Sequence, residues 1–322
     1  MQKRQHSSAR IRLEISLKSI QQNFLRIQRT VQPAKVMAVL KADAYGLGAV
    51  PIAEALADAG ASRFGVAGLR EAITLKKRFS QPIHVLSGLL EGEVAECVRR
   101  KIICPVSDYR IAQWLSREAV RQRTKALVHI KVDTGMGRLG IPHFEARETI
   151  QRILKLPSLE TEGIFSHFAN ANNPRHAKTR EQIGIFRGLL RELESDGIRF
   201  PLAHLANSDG INNFPEARFD MVRTGINLYG VFDLLGFRAY KLSPSLSLNS
   251  VLLSRRRLPA GFTHQRVDLL GDRGGGGTEV VRVAGVGRAD GPAPDREAPA
   301  RDVAAARDER AAPDPGRPVE DG

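Results

Sequence analysis

Val36-Met-Ala-Val-Leu-Lys-Ala-Asp-Ala-Tyr-Gly-Leu-Gly48 is a short apolar run that ends on a lysine and breaks into a glycine-rich turn. Five apolar residues closed by a turn read as a buried strand, and the amphipathic stretch 49–61 that follows reads as a helix. The unit recurs along the chain. Apolar runs at Phe64–Ala67, Ile83–Leu86, Ile102–Val106, Ala126–Val132, Gly163–Phe165, Leu202–Leu205 and Met221–Val222 bring the strands to eight. Segments with helical spacing lie between them, 69–79, 144–156 and 179–196 among others. Strands alternating with helices form a parallel sheet covered on its outside and buried on both faces. Eight such units predict an α/β fold, a (β/α)8 barrel of the TIM type. Chemistry in that fold gathers in the loops after the strands, so Lys41 is the first residue to examine.

Composition narrows the partners. The chain has 322 residues, 42% of them hydrophobic, enough for a sizeable core. A net charge of +14 invites a nucleic-acid reading. The dense basic spots, however, are only Lys76-Lys77-Arg78, Arg99-Arg100-Lys101 and Arg255-Arg256-Arg257, without interleaved aromatic residues, so no nucleic-acid partner is expected. Cys97 and Cys104 lack the paired spacing of a structural zinc site and read as reduced thiols, with no metal expected. No window of about 20 apolar residues occurs, which predicts a cytoplasmic chain with no membrane partner.

Taken alone, Lys41 reads best as a surface lysine that happens to end a strand. In a barrel mouth, partial desolvation and nearby cations lower a lysine's pKa enough for it to attack an aldehyde. The stretch Ala38-Val-Leu-Lys-Ala-Asp-Ala-Tyr-Gly-Leu-Gly48 resembles the cofactor-lysine motif of alanine racemases, barrel enzymes that interconvert L- and D-alanine with pyridoxal 5'-phosphate. The resemblance implies that Lys41 holds the cofactor covalently and serves as one of two acid/base groups, while the Tyr45 hydroxyl approaches the cofactor phosphate.

Four further segments resemble the family in the same order. Lys131-Val-Asp-Thr-Gly-Met-Gly-Arg-Leu-Gly140 is similar to the segment carrying the substrate arginine. It implies a catalytic, substrate-binding Arg138, whose guanidinium suits a carboxylate or phenolate, and a Lys131 open to carbamylation, which turns a cation into an anion. His167, in Phe165-Ser-His-Phe-Ala169, resembles a catalytic histidine beside the cofactor ring. His204-Leu-Ala-Asn-Ser208 resembles a segment in which the serine binds phosphate and the histidine supports a neighbouring arginine. Asp220-Met-Val-Arg-Thr-Gly-Ile-Asn-Leu-Tyr-Gly230 resembles the motif whose backbone amides, here Gly225 and Ile226, bind phosphate and whose arginine, Arg223, faces the pyridine nitrogen. A guanidinium with its pKa above about 12 cannot protonate that nitrogen. The ring then stays neutral and draws off less carbanion charge, which favours reprotonation at the α-carbon.

The resemblance runs from about Arg10 to about Thr263 and then breaks. A second, mainly β domain should begin around Leu246-Ser-Leu and Arg257-Leu-Pro-Ala-Gly261. The family continues with a tyrosine that reaches into the partner subunit as the second acid/base, whereas here His264-Gln-Arg-Val-Asp268 follows and no tyrosine occurs after Tyr240. From Gly271 on, ten Gly, ten Ala, six Pro, eight Arg and eleven acidic residues leave no Leu, Ile, Phe, Tyr, Trp or Lys. Such a segment cannot offset its conformational entropy by burial and is expected to be disordered. Its composition is that of a GC-rich gene read out of frame, which points to a frameshift near codon 264. The organisation expected is thus a cofactor-binding barrel over 10–240, the start of a β domain over 241–270, and a low-complexity tail over 271–322. The function implied is racemisation of alanine, supplying D-alanine for peptidoglycan, by a homodimer weakened at its altered C-terminus. Loss of a positioned acid or base costs roughly 10²–10⁴-fold in rate, so the alternative is a non-catalytic protein that binds the cofactor.

Overall fold

The computed structural model describes residues 11–232 and 240–250. Its strands are β1 (Ile11–Ile15), β2 (Lys35–Val39), β3 (Phe64–Val66), β4 (Ile83–Val85), β5 (Cys104–Val106), β6 (Ala126–Asp133), β7 (Ile141–Pro142), β8 (Leu159–Phe165), β9 (Leu202–His204), β10 (Met221–Thr224) and β11 (Leu246–Ser250). Eight of them form one parallel sheet in the order β4-β3-β2-β10-β9-β8-β6-β5. The two end strands meet at a parallel bridge between His84 and Ile103, where the Ile103 amide donates to the Ile83 carbonyl at 2.9 Å and the Val85 amide to the Ile103 carbonyl at 3.0 Å. The barrel expected from the sequence is thereby nearly closed, and each of the eight apolar runs contributes a strand to it.

Helices cover the outside because their apolar residues fall on one face. In Leu17–Val31 the buried set is Ile20, Asn23, Phe24, Ile27 and Val31, and Ser16 caps the helix by accepting from the Ser19 amide. Asp108 caps Tyr109–Arg121 in the same way, its carboxylate accepting from the Ile111 amide at 2.9 Å. Asn23 is fully buried and offsets that cost with three hydrogen bonds: it donates to the Leu228 and Ser243 carbonyls and accepts from the Ser243 amide. It thereby ties the first helix to the segment that follows the last barrel strand.

Inside the barrel, Met37, Leu202 and Met221 form a small apolar plug with Leu86 against it. Beside it His84, His129, His204, Lys131 and Arg223 are all buried, where branched aliphatic layers are usual. Glycine makes room for them: a Cβ at Gly163 would lie 2.4 Å from the His129 ring. β1 and β11, absent from the eight-strand reading, form a separate antiparallel pair in which Ile11 faces Ser250 and Ile15 faces Leu246. Of the second domain expected from 241 onward, β11 is described; the remainder from 251 and the tail lie outside the described residues. Cys97 and Cys104 are free and buried, and a hydrogen bond with Cys97, then burial, pushes the Cys104 thiol up. Among the described residues no helix is long and apolar enough to cross a membrane.

Candidate active site

β2 delivers Lys41 into a turn of the opposite hand to an ordinary helix. Ala42, Asp43, Ala44 and Tyr45 all have φ between 51° and 61°. Non-glycine residues avoid this region at a cost of roughly 1–2 kcal/mol each, so neighbouring contacts must hold the turn. Glu71, on the helix Leu69–Lys76, accepts from the Ala42 amide with one carboxylate oxygen and from the Ala67 amide with the other, both at 2.8 Å. Asp43 accepts from the Ala49 amide at 2.7 Å and so seats the turn on the next helix. Lys41 emerges exposed, without the partial desolvation expected for it, with its Nζ 5.9 Å from the centre of the Tyr45 ring.

The turn swings Tyr45 back over the end of β10. Its ring meets Tyr229 edge-on at 5.4 Å, and its hydroxyl lies where a side chain on Gly225 would be, 2.2 Å from an ideal Cβ. Burial pushes the Tyr45 phenol up. The Gly225 amide donates to Ser208 Oγ at 3.0 Å, and Ile226 opens the short 3-10 turn Ile226–Tyr229. Thr224 Oγ1 and Tyr229 Oη are buried with no hydrogen-bond partner among the described residues. Hydroxyls and a backbone amide thus converge on the end of β10, two of them unsatisfied, which suits a ligand rich in acceptor oxygens.

Arg223 lies on the same strand, two residues before Gly225. Arg223 is buried, and burial pushes its guanidinium down to about 9, below the value above 12 expected from residue type but still cationic at neutral pH. It donates to the Ser166, His204 and Leu205 carbonyls, to His204 Nδ1 at 2.7 Å and to His167 Nδ1 at 3.2 Å. Lys131 donates to the Leu86 carbonyl at 2.7 Å, and burial, then Arg223 and Arg138, push its amine down to about 8. Arg138 is exposed on the loop after β6. That loop turns back at Gly140, where φ is 135° and a Cβ would strike the Val132 and Asp133 backbone at 2.7 Å. His167 is held well below its ordinary value by burial, then by Arg223, Arg138, Lys131 and Lys41. Of the residues singled out in the sequence, Tyr45, Ser208 and Gly225 meet at the end of β10, Arg223 joins His167 and His204, and Lys41 stands beside the Tyr45 ring. Glu71 was not among them; a surface glutamate on a helix carries no local sign that it clamps a turn 29 residues away.

Among the described residues His84, His129 and Glu162 have ligand atoms within 4.8 Å of one another, the composition of a metal site. Arg63 already grips Glu162 with two donors, placing a fixed cation where a metal would need the carboxylate.

A parallel barrel whose mouth gathers a strand-end lysine, further cations and a cradle of hydroxyls and amides is that of an enzyme for a small anionic substrate. The chain belongs to the alanine racemase family: the family of the alanine racemase N-terminal domain matches residues 15–233. It is 38% identical over 255 residues to an alanine racemase of Carboxydothermus hydrogenoformans, covering 78% of this chain and 68% of that one. An alanine racemase of Methanococcus maripaludis is 37% identical over 251 residues, covering 76% and 67%. Among solved structures, alanine racemase from Clostridium difficile 630 in complex with cycloserine superposes with a TM-score of 0.72 at 31% identity, covering 76% of this chain and 68% of that one. A histidine racemase from Leuconostoc mesenteroides reaches a TM-score of 0.69 at 28% identity, covering 76% and 66%.

Proposed function

We propose that this chain binds pyridoxal 5'-phosphate covalently through Lys41 and interconverts L- and D-alanine, an isomerase supplying D-alanine for peptidoglycan. One observation carries the reading: on β10 the buried Arg223, which holds His167 and His204, stands two residues before Gly225, where Tyr45 and Ser208 converge in a cradle of hydroxyls and an amide. The donor chemistry fits the cofactor. Tyr45, Ser208, Gly225 and Ile226 would hold its phosphate, Arg223 its ring nitrogen, with His204 behind Arg223 and His167 beside the ring. Bound there, pyridoxal phosphate supplies the electron sink that acidifies the substrate's α C–H bond. Arg138 would take the substrate carboxylate or the cofactor phenolate, and the Lys41 amine would accept or return the α-proton on one face of the substrate.

Racemisation also needs a proton on the opposite face. Residues 241–322 hold no tyrosine, and a racemase that relied on solvent for that role would run roughly 10²–10⁴-fold below a two-group racemase. The same absence favours a second reading, a barrel that binds the cofactor without turnover. The working form is read as a cytoplasmic homodimer weakened by the altered C-terminal region.

The test is the purified full chain with pyridoxal phosphate, assayed for cofactor absorbance and for racemisation of L- and D-alanine and of L-histidine, beside Lys41→Ala. A Lys41-dependent absorbance band with slow alanine turnover supports racemisation. The band without turnover selects the second reading, and no band in the wild-type chain overturns both.

A further inference from the structure

Among the described residues, Arg223 reaches a carboxylate only through two buried imidazoles. Its hydrogen-bond acceptors are three backbone carbonyls and the Nδ1 atoms of His167 and His204, all neutral. Behind His204 the contacts continue: His204 Nε2 lies 2.9 Å from His129 Nδ1, and His129 Nε2 lies 3.1 Å from Glu162 Oε2. Arg63 holds the other end, donating to both Glu162 oxygens and, at 3.2 Å, to His84 Nε2.

Hydrogen-bond chemistry gives this row one direction. A guanidinium has donors only, so His204 Nδ1 must be the bare nitrogen and its proton must sit on Nε2. That proton points at His129 Nδ1, which must then be bare, leaving the His129 proton on Nε2, aimed at Glu162. The carboxylate accepts it, since Arg63 keeps Glu162 ionised. Reversing either ring would set N–H against N–H at Arg223 or a lone pair against a lone pair at Glu162, and protonating His204 would do the former. His129 and His204 are 2% and 0% exposed, so no bulk water can relieve either clash.

We propose that Glu162 and His129, with Arg63 clamping the carboxylate, are positioning residues for Arg223: they lock His204 in its Nε2–H form and so aim and balance the buried guanidinium. The role in catalysis rests on the reading that Arg223 faces the bound cofactor. Glu162 and Arg63 come from β8 and the start of β3, on different walls of the barrel, so the row also braces its interior.

The test is nitrogen NMR of the full chain, labelled at histidine, without cofactor and at neutral pH, the two rings being assigned through the signals lost in His129→Gln and His204→Gln. Expected are a protonated Nε2 and a bare Nδ1 in both rings. Glu162→Leu should mix the forms at both rings and weaken pyridoxal phosphate binding about tenfold, the worth of one charge-assisted hydrogen bond. Glu162→Gln, which keeps an acceptor for His129, should restore most of both. An Nδ1–H or doubly protonated ring in the wild-type chain overturns the proposal, as does a Glu162→Leu spectrum unchanged at both rings. If Glu162→Leu fails to fold, the wild-type spectrum still decides. The predicted tautomers in a chain that binds no pyridoxal phosphate would keep the lock and remove the cofactor reading instead.

Discussion

Gly225 shows how much the cradle asks of one position. The Tyr45 hydroxyl occupies the Cβ position, and the backbone, at φ −124° and ψ −87°, lies outside the regular helical and extended regions. Gly225→Ala should lower the melting temperature modestly, because Tyr45 must leave its edge-on contact with Tyr229 to admit the new methyl group. It should weaken pyridoxal phosphate binding about tenfold or more, as one hydrogen bond to an anion is lost; a titration of cofactor fluorescence reads this directly. Lys131 makes a second case. With its amine pushed down to about 8, roughly a tenth is unprotonated at pH 7, against a vanishing fraction of an ordinary lysine. Only the neutral amine adds carbon dioxide, releasing a proton and leaving an anionic carbamate. Labelled bicarbonate should therefore give a carbamate carbon signal that grows as pH rises toward 8 and is missing in Lys131→Ala. A signal of equal size in that variant would place the carbamate elsewhere. The residues of the mouth could be found in the sequence because each sits in a long motif at a strand end. Glu71, His129 and Glu162 could not, since a lone histidine or glutamate in a strand or helix looks the same whether or not its partner lies across the barrel.

The left-handed turn at Ala42–Tyr45 is an element built against local preference. Nothing in Lys-Ala-Asp-Ala-Tyr-Gly announces it: those residues also suit a right-handed helix, and only the glycines at 46 and 48 mark a reversal. What selects it is tertiary, chiefly the Glu71 carboxylate on the Ala42 amide and Asp43 on the next helix. Ala42→Gly should consequently behave unlike an alanine-to-glycine change in an ordinary helix. The relief of the left-handed strain, about 1–2 kcal/mol, offsets the 0.5–1 kcal/mol that glycine usually costs, so the urea midpoint should hold or rise. Glu71→Gln should lower it, because the amide loses the charged acceptor. A fall in midpoint for Ala42→Gly would show that the turn carries no strain. The barrel strands, by contrast, were legible in the sequence, since burial on both faces forces a continuous apolar run. β1 escaped the reading, and β11 was expected only as the start of a β domain at Leu246-Ser-Leu, because Ile11, Leu13 and Leu248 alternate with polar residues on an exposed pair and make no continuous apolar run.

Placing polar groups at the heart of the barrel has a consequence for the molecule's response to pH. His84, His129 and His204 are all held below their ordinary value of 6.5, with burial the largest cause in each. His84 is faced by Arg63, His129 and Arg223, which oppose its charge, and by Glu162, which favours it. The unfolded chain takes up protons as pH falls below 6.5 while the folded chain does not, so each of these histidines makes stability fall with acid in that window. Glu162, held well below the carboxylate range by His129 and Arg63, adds a loss once pH drops under its unfolded value near 4.5. Lys131 acts with the same sign on the alkaline side: between about 8 and 10.5 the unfolded chain binds a proton that the folded chain has released, so stability there rises with pH. The urea-unfolding free energy should therefore climb from pH 5 to pH 7, with a slope of up to roughly 1.4 kcal/mol per pH unit for each histidine fully shifted. His84→Gln keeps an acceptor for the Arg63 donor but cannot titrate. It should remove about one histidine's share of that slope without changing the slope above pH 8. An unchanged slope below pH 6.5 in this variant would mean that His84 takes up its proton in the folded barrel as readily as in the unfolded chain.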